Sequence, residues 1–215
     1  RANLLTNGSF ENFAAHPDSV GITVVPAGAA ILAGWQVSGY TIDLVPTPYW
    51  RATDGQTNVD LAGTGGMAAI TQIVPTDPGG IYHLSFDFSA NPENYTHETN
   101  LTKTLLINAV DQGRHVVGSE TLTNITGHKT NADMQFVYAD FTFTADTPYT
   151  ALTFAGIAPA GYDPAKLFCG PVIDHAILEK VGGAISPPPP PTPEPASIGM
   201  LAIGALLLFS RRFRG

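Results

Sequence analysis

Four aromatic residues that lie close together in the sequence have the side chains that carbohydrate-binding sites use. Polar residues lie between and shortly after them, among them Asp43, Arg51 and Asp54. Aromatic faces stack on the C–H surfaces of sugar rings, while carboxylates and other polar groups bind the hydroxyls. The sequence therefore predicts a carbohydrate site formed by Trp35, Tyr40, Tyr49 and Trp50.

A structural role is the alternative for three of these residues. Trp35 follows Gly34 and fits a core position better than a binding site, because large aromatic side chains dominate protein cores. Tyr49 and Trp50 follow two prolines, which indicates an exposed loop, and for this pair the two interpretations are balanced.

Motifs for other chemistry are missing from the sequence. The six histidines are scattered without HxH or HxxxH spacing, and Cys169 has no cysteine partner, so a zinc site is not expected. There is no G-x-S-x-G elbow and no phosphate-binding glycine loop. We therefore predict a non-catalytic protein, although a carboxylate pair for glycoside hydrolysis need only meet in space.

Charge excludes nucleic acid as a partner. The net charge is −8, and residues 1–186 contain 17 acidic against 7 basic residues. Such a body repels phosphates, so the basic C-terminal end must serve another purpose.

Strand periodicity dominates the part of the chain that must position these residues. Tyr82, Leu84, Phe86 and Phe88 alternate with polar residues, and Phe141 and Phe143 do the same. Further strands are predicted over 21–25, 35–45, 68–74, 104–110, 115–123, 149–155 and 171–181. The pattern predicts an all-β domain over 1–181, a two-sheet antiparallel sandwich of jelly-roll type.

The C-terminal segment combines a stiff spacer with an apolar stretch. A Gly/Pro-rich linker over 182–192 contains an unbroken proline run, which favours extended polyproline II structure. Residues 196–210 are almost entirely apolar and precede Arg211 and Arg212. We predict a short transmembrane helix over 196–210, with the arginines in the cytoplasm and the domain outside.

Residues 193–215 resemble the PEP-CTERM sorting signal. Pro193, Glu194 and Pro195, the short apolar helix and the arginine cluster follow one another in the order of that signal. The resemblance implies an exosortase as processing partner, in a Gram-negative bacterium that makes extracellular polysaccharide. The implied location is the membrane before processing, and the cell surface or extracellular matrix afterwards.

The domain itself resembles galactose-binding-like jelly rolls, and among them the choice-of-anchor C proteins and their relatives in plant cell walls, a family of unknown function. The resemblance lies in five short segments that occur in the same order: 3–11 (NLLTNGSFE), 34–35 (GW), 59–63 (VDLAG), 78–86 (PGGIYHLSF) and 170–174 (GPVID). It spans nearly all of residues 3–181, with 3–11 as the opening strand.

The same resemblance implies a structural calcium ion that ties the first strand to the last. Glu11 matches the carboxylate of the opening motif, and Asp174 matches that of the closing one. Asp174 alternates with Val172, Ala176 and Leu178, where a bare carboxylate is costly unless it is paired or bound to metal. The alternative is a pair of acids at the surface or hydrogen-bonded to loop amides, and His175 stands where relatives often have a second Asp.

Two functions are consistent with these features. The first is a non-catalytic, carbohydrate-binding-like protein of the cell surface or biofilm matrix that associates with extracellular polysaccharide. The second is a structural surface or matrix protein that contacts other proteins and binds no sugar.

Overall fold

The computed structural model describes residues 2–14, 16–93, 102–127, 129–161, 163 and 167–183. These residues form an all-β structure without helices. The strands are β1 (Thr23–Pro26), β2 (Gln36–Gly39), β3 (Thr41–Pro46), β4 (Thr57–Asp60), β5 (Ala62–Gly63), β6 (Gly66–Pro75), β7 (Gly80–Ala90), β8 (Thr102–Asp111), β9 (Val116–Ile125), β10 (Val137–Thr144), β11 (Tyr149–Ile157) and β12 (Pro171–Gly183).

The strands form two antiparallel sheets that pack face to face. Sheet 1 has the order β1-β3-β4-β12-β7-β10, and sheet 2 has the order β2-β6-β11-β8-β9, with β5 paired to β6. The crossovers between distant strands, such as β4 to β12, give the jelly-roll sandwich that the sequence predicts.

The main core lies between the sheets and is formed by the inward-facing residues of the strands, which alternate with outward-facing ones along each strand. Tyr82, Leu84, Phe86 and Phe88 of β7 all point inward, and β10 adds Phe141 and Phe143 beside them. Burial of these side chains removes apolar surface from water, which is the main force that holds the two sheets together. The predicted strands over 82–88 and 141–143 are confirmed.

Two predictions for the first third of the chain are wrong in detail. The segment 35–45 forms two strands, because Gly39 turns the chain with a φ of 83° and lies too close to the Met67 carbonyl for a side chain. The segment 3–11 is not a strand, and its backbone has positive φ at Asn7 and Phe10.

The opening segment is nevertheless tied to the last strand. The Leu4 amide donates to the Leu178 carbonyl (2.8 Å), and the Ala176 amide donates to the Gly8 carbonyl (2.9 Å). The Asn3 side chain donates to the Ala176 carbonyl and accepts from the Leu178 amide, each at 2.9 Å. Hydrogen bonds therefore make the connection for which the sequence suggested a metal ion.

The predicted C-terminal elements lie outside the described residues. They comprise most of the linker 182–192, the motif Pro193-Glu194-Pro195, the helix 196–210 and the arginine cluster. Within the described ranges, no helix has the length and apolar character needed to span a bilayer.

Candidate functional site

The outer face of sheet 1 is covered over part of its area by loops. After β3 the chain crosses this face in the loop 47–56, and Trp50 packs there against Val45, Met134 and Val172. The indole is 3% exposed. Since Met134 lies between β9 and β10, Trp50 holds two loops that are distant in sequence against the same sheet.

Asp174 fixes the middle of this loop from below. Its Oδ2 accepts hydrogen bonds from the Thr53 amide (2.7 Å), the Thr53 hydroxyl (3.0 Å) and the Asp54 amide (3.0 Å). Its Oδ1 accepts from the His175 amide (2.7 Å). Burial raises the pKa of Asp174 to about 6, against the opposing effect of these four donors.

A β-bulge places Asp174 in this position. The register with β7 shifts between Asp174 and Ile177, and His175 has a φ of 52°. Beyond the bulge, Ala176 and Leu178 point into the core between the sheets, whereas Asp174 points to the outer face. Asp174 therefore does not share the apolar face of Ala176 and Leu178 that simple alternation predicts.

Glu11 supports the next part of the same loop. Its Oε1 accepts from the amides of Gln56 (2.8 Å) and Thr57 (2.7 Å). The loop passes this carboxylate at Gly55, where a Cβ atom would lie 2.5 Å from Oε1. Glu11 and Asp174 thus hold one loop through its backbone amides.

This arrangement does not fit a calcium ion, which needs six to eight oxygen ligands. The Asp174 oxygens accept four hydrogen bonds, from three amides and the Thr53 hydroxyl, and Glu11 Oε1 accepts two from amides, so these three oxygens already have hydrogen-bond donors where a cation would bind. Throughout the part of the chain that the structure describes, no three or more His, Cys, Asp or Glu side chains converge on a point where a metal ion could bind. The two acids match the alternative in which loop amides satisfy them.

A cleft of about 470 Å³ opens between this loop and the loop that precedes β10. The Arg51 amide joins the loops by donating to the Asn131 carbonyl (3.0 Å). Phe136 is half-buried in the wall, whereas Arg51, Asp133 and Gln135 are exposed. The complete lining is Arg51, Ala52, Thr53, Ala132, Asp133, Met134, Gln135 and Phe136.

The cleft offers the chemical groups that a sugar ring requires. A guanidinium, a carboxylate and a carboxamide can donate to or accept from ring hydroxyls, and the phenyl ring supplies an apolar surface. Of these residues, the sequence draws attention only to Arg51. Asp133, Gln135 and Phe136 belong to a loop distant in sequence that has no motif.

The four aromatic residues predicted to bind sugar have different environments. Trp35 is 4% exposed and packs between Phe10 and Phe154 in the core, so its ring faces are closed to a ligand. Trp50 is buried under the loops as described, and the prediction of a stacking role for these two residues does not agree with their burial. Tyr40 is 43% exposed at the turn between β2 and β3.

Tyr49 is the half-buried member of the group. Its ring lies 6.1 Å from that of Trp50, and its hydroxyl donates to Glu93. This hydrogen bond, with burial as a smaller cause, raises the pKa of Tyr49 to about 12. Tyr49 and Trp50 therefore belong to the hydrophobic cluster against which Phe136 packs, and of these three aromatic residues only Phe136 lines the cleft.

Two further carboxylates are buried on the same face of sheet 1. Asp43 of β3 and Asp60 of β4 are directly paired across the strands. Asp60 accepts from Asn91 Nδ2 (2.6 Å) and from the amides of Ala62 (2.9 Å) and Gly170 (3.0 Å). Burial, and to a lesser extent Asp43, raises the pKa of Asp60 well above its usual value.

Asp43 is less well satisfied than Asp60. Its Oδ1 is buried without a hydrogen-bond partner. Burial and the nearby charge of Asp18 raise its pKa to about 6. The pair therefore favours protonation more than an ordinary surface acid does.

The fold is a two-sheet antiparallel β-sandwich of jelly-roll type, with polar loops on one outer face. The chain belongs to the family described as "Protein of unknown function (DUF642)", whose model matches residues 3–179. This confirms the resemblance to a domain family of unknown function.

Among curated proteins, halomucin of Haloquadratum walsbyi is 28% identical over 160 residues, which cover 74% of this chain. The matched part is 2% of halomucin, so the chain spans only a small fraction of that relative.

Two solved structures illustrate the fold. The arabinose-bound α-L-arabinofuranosidase MgGH51 has a TM-score of 0.50 at 13% identity, over 82% of this chain and 26% of that one. TmCBM61 in complex with β-1,4-galactotriose has a TM-score of 0.49 at 16% identity, over 84% of this chain and 99% of that one. At these identities the likeness concerns the fold.

Proposed function

We propose that this chain is an exported, non-catalytic protein that associates with extracellular polysaccharide through its β-sandwich domain. The observation that carries the proposal is the cleft beside Trp50, which is lined by Arg51, Asp133 and Gln135 together with the half-buried Phe136. One apolar surface within a set of hydroxyl-binding groups is the arrangement that sugar recognition needs. Membership of a β-sandwich family that shares its fold with carbohydrate-binding modules is consistent with this role.

The proposed location rests on the C-terminal sequence. The motif Pro193-Glu194-Pro195, the apolar segment 196–210 and the pair Arg211 and Arg212 support sorting by an exosortase. In this proposal the segment holds the chain in the membrane until processing, after which the domain remains at the cell surface or in the matrix of a Gram-negative bacterium.

Affinity electrophoresis of the full chain in gels containing individual polysaccharides tests the sugar-binding role. We expect retardation by at least one polysaccharide, and weaker retardation for Phe136→Ala and Arg51→Ala. Loss of an aromatic contact or of a charged hydrogen bond typically reduces affinity by about five- to fiftyfold. Tyr138→Ala is the matched control, because Tyr138 is 66% exposed on the outer face of sheet 1 but does not line the cleft.

The outcomes separate the two functions that the sequence leaves open. Migration unaffected by any polysaccharide would overturn the proposal in favour of a structural protein that contacts other proteins. A steady release of reducing ends from a retarding polysaccharide would instead indicate an enzyme.

A further inference from the structure

Among the described residues, none on the outer face of sheet 2 is charged. The register of its strands brings a continuous set of outward side chains to the surface, and all of them are apolar or neutral polar. Ile73 is 69% exposed and Val116 is 60% exposed, so this face is open to solvent. Its residues are Gln36, Ser38, Ala69, Thr71, Ile73, Pro75, Thr102, Thr104, Leu106, Asn108, Val110, Val116, Ser119, Thr121, Thr123, Ile125, Tyr149, Ala151, Thr153, Ala155 and Ile157.

A row of neutral polar side chains crosses the middle of this face, and we call it the polar track. Cross-strand pairing aligns its members from β2 to β9 in the order Gln36, Thr71, Thr153, Asn108 and Ser119. The hydroxyls of Thr71 and Thr153 lie 2.9 Å apart, and the Ser119 hydroxyl donates to Asn108 Oδ1 (2.7 Å). With strands about 4.8 Å apart, five strands give a track roughly 19 Å long.

Apolar rows border the polar track on both sides. On one side Ala69, Ala155 and Leu106 are aligned, with Ser38 and Thr121 at the two ends of their row. On the other side Ile73, Ala151, Val110 and Val116 are aligned. At the β2 end the face continues into a groove of about 490 Å³, which the segment 30–36 lines together with Thr71, Ile73 and Ala151.

The order of these rows indicates what binds there. Protein interfaces have an apolar centre and a polar rim, whereas this face has a polar centre between apolar rows. A charged polymer would find no countercharge on it. A neutral sugar chain has both equatorial hydroxyls for the track and C–H surfaces for the rows, and a chain laid across the strands would follow the track.

We propose that the outer face of sheet 2 binds an extended, neutral polysaccharide chain along the polar track. The inference rests on the proposed function, because both require that the domain associates with polysaccharide. It adds a second surface on the opposite side of the sandwich from the cleft. A domain with two such surfaces contacts two chains and can connect them.

Two matched substitutions in the full chain test this surface. Thr153→Glu places a charge in the centre of the track, and Thr142→Glu places the same charge on the outer face of sheet 1, on β10. The probes are dextran and β-1,4-galactan as neutral polymers and polygalacturonate as an acidic one. We expect Thr153→Glu to weaken binding of a neutral polymer by about tenfold or more, because an ionised group would lose water without gaining a partner. Thr142→Glu should leave that affinity within about twofold.

Thr153→Val keeps the surface testable if the charged variant does not fold. It removes one hydroxyl at nearly constant shape and should weaken binding by about two- to tenfold, the equivalent of one hydrogen bond. Unchanged binding of the neutral polymers by Thr153→Val, combined with loss in Phe136→Ala, would overturn this inference and leave the proposed function standing. Wild-type protein that binds none of the three polymers would overturn both.

Discussion

The outer faces of the two sheets are made from the same kind of alternating strand and yet differ in every other respect. On sheet 1, the carboxylates of Asp60 and Asp174 are buried and that of Asp43 is half-buried, and beyond the loops His83 pairs with Asp140 at 3.1 Å. On sheet 2, the outward residues are uncharged from β2 to β9 and no described loop is bonded across the polar track.

The difference shows that the buried acidic residues of sheet 1 are structural. A buried carboxylate is costly unless donors satisfy it. Asp60 accepts three hydrogen bonds and Asp174 accepts four, and all but one of each set come from segments distant in sequence. Sheet 1 is therefore organised around buried acids that hold loops and shape the cleft. Sheet 2 has no such groups among its outward residues, and several of these, such as Ile73 and Val116, are exposed to solvent.

Of the substitutions that test this difference between the sheets, we expect the largest loss of stability from a change at Asp174. In Asp174→Ala the donors of Thr53, Asp54 and His175 lose their acceptor, and the loop over sheet 1 loses its central attachment. We expect the free energy of unfolding to fall by about 2–4 kcal/mol, as for other buried hydrogen-bond networks. Urea denaturation followed by tryptophan fluorescence measures this change, because Trp50 belongs to the same loop and is buried in the folded protein.

Asp87→Ala is the control for Asp174→Ala. Asp87 is the cross-strand neighbour of Asp174 between β7 and β12, but its side chain contacts that of His175, at 3.5 Å, in a partly exposed pair. Such pairs contribute about 0–1 kcal/mol. If the free energy of unfolding fell equally in the two variants, loss of any carboxylate from this face of sheet 1 would explain the effect, and the hydrogen bonds of Asp174 would not be responsible.

A second, smaller effect is expected from the pH dependence of stability. The pKa of Asp43 is about 6 in the folded protein and near 3.8 when the chain is unfolded, so the folded state binds more protons between these values. The contribution of Asp43 to stability is therefore complete below pH 4 and is lost as the pH rises through 6. The pKa values of Asp174 and Asp60 are also raised in the folded protein, so their contributions to stability change with pH in the same direction.

Asp43→Asn isolates this effect from other titrating groups. The amide cannot ionise, so at pH 7 the variant should be more stable than wild type by about 1–2 kcal/mol, allowing for partial solvent screening. The advantage should disappear near pH 4. Thermal unfolding of both proteins from pH 4 to 8 measures it, and an advantage that does not vary with pH would argue against titration of Asp43.

The fold follows from the sequence because strand periodicity is a local property. The alternation over 82–88 identifies β7 from seven residues, and the Pro-Gly-Gly segment before it marks its start. The short strands β4 and β5 have no such pattern, since both are buried on each side. The bulge at His175 also has no signature, and it reverses the faces predicted for Asp174 and its neighbours.

The site depends on contacts that local patterns do not contain. Trp50 is buried because Met134 and Val172 meet it from remote parts of the chain, and Phe136 reaches the cleft by the same long-range packing. The cluster of aromatic residues predicted a binding region that includes Tyr49 and Trp50, and the neighbouring Arg51 lines the cleft. The cluster could not distinguish a side chain in the cleft from one behind it, because that distinction arises only when the loops meet.

The smallest effect is expected from calcium, and it tests how the loop over sheet 1 is held. If the amide groups of 53–57 satisfy Glu11 and Asp174, addition of 1–5 mM calcium or of EDTA should leave the unfolding temperature unchanged, whereas a ligand at a hundredfold excess over its Kd adds about 2.7 kcal/mol. A rise with calcium that is absent in Glu11→Gln would show that the carboxylates exchange amide donors for a cation. In that case the loop, and the cleft that it forms, would depend on the metal, and sheet 1 alone among the two faces would respond to the ionic composition of the surroundings.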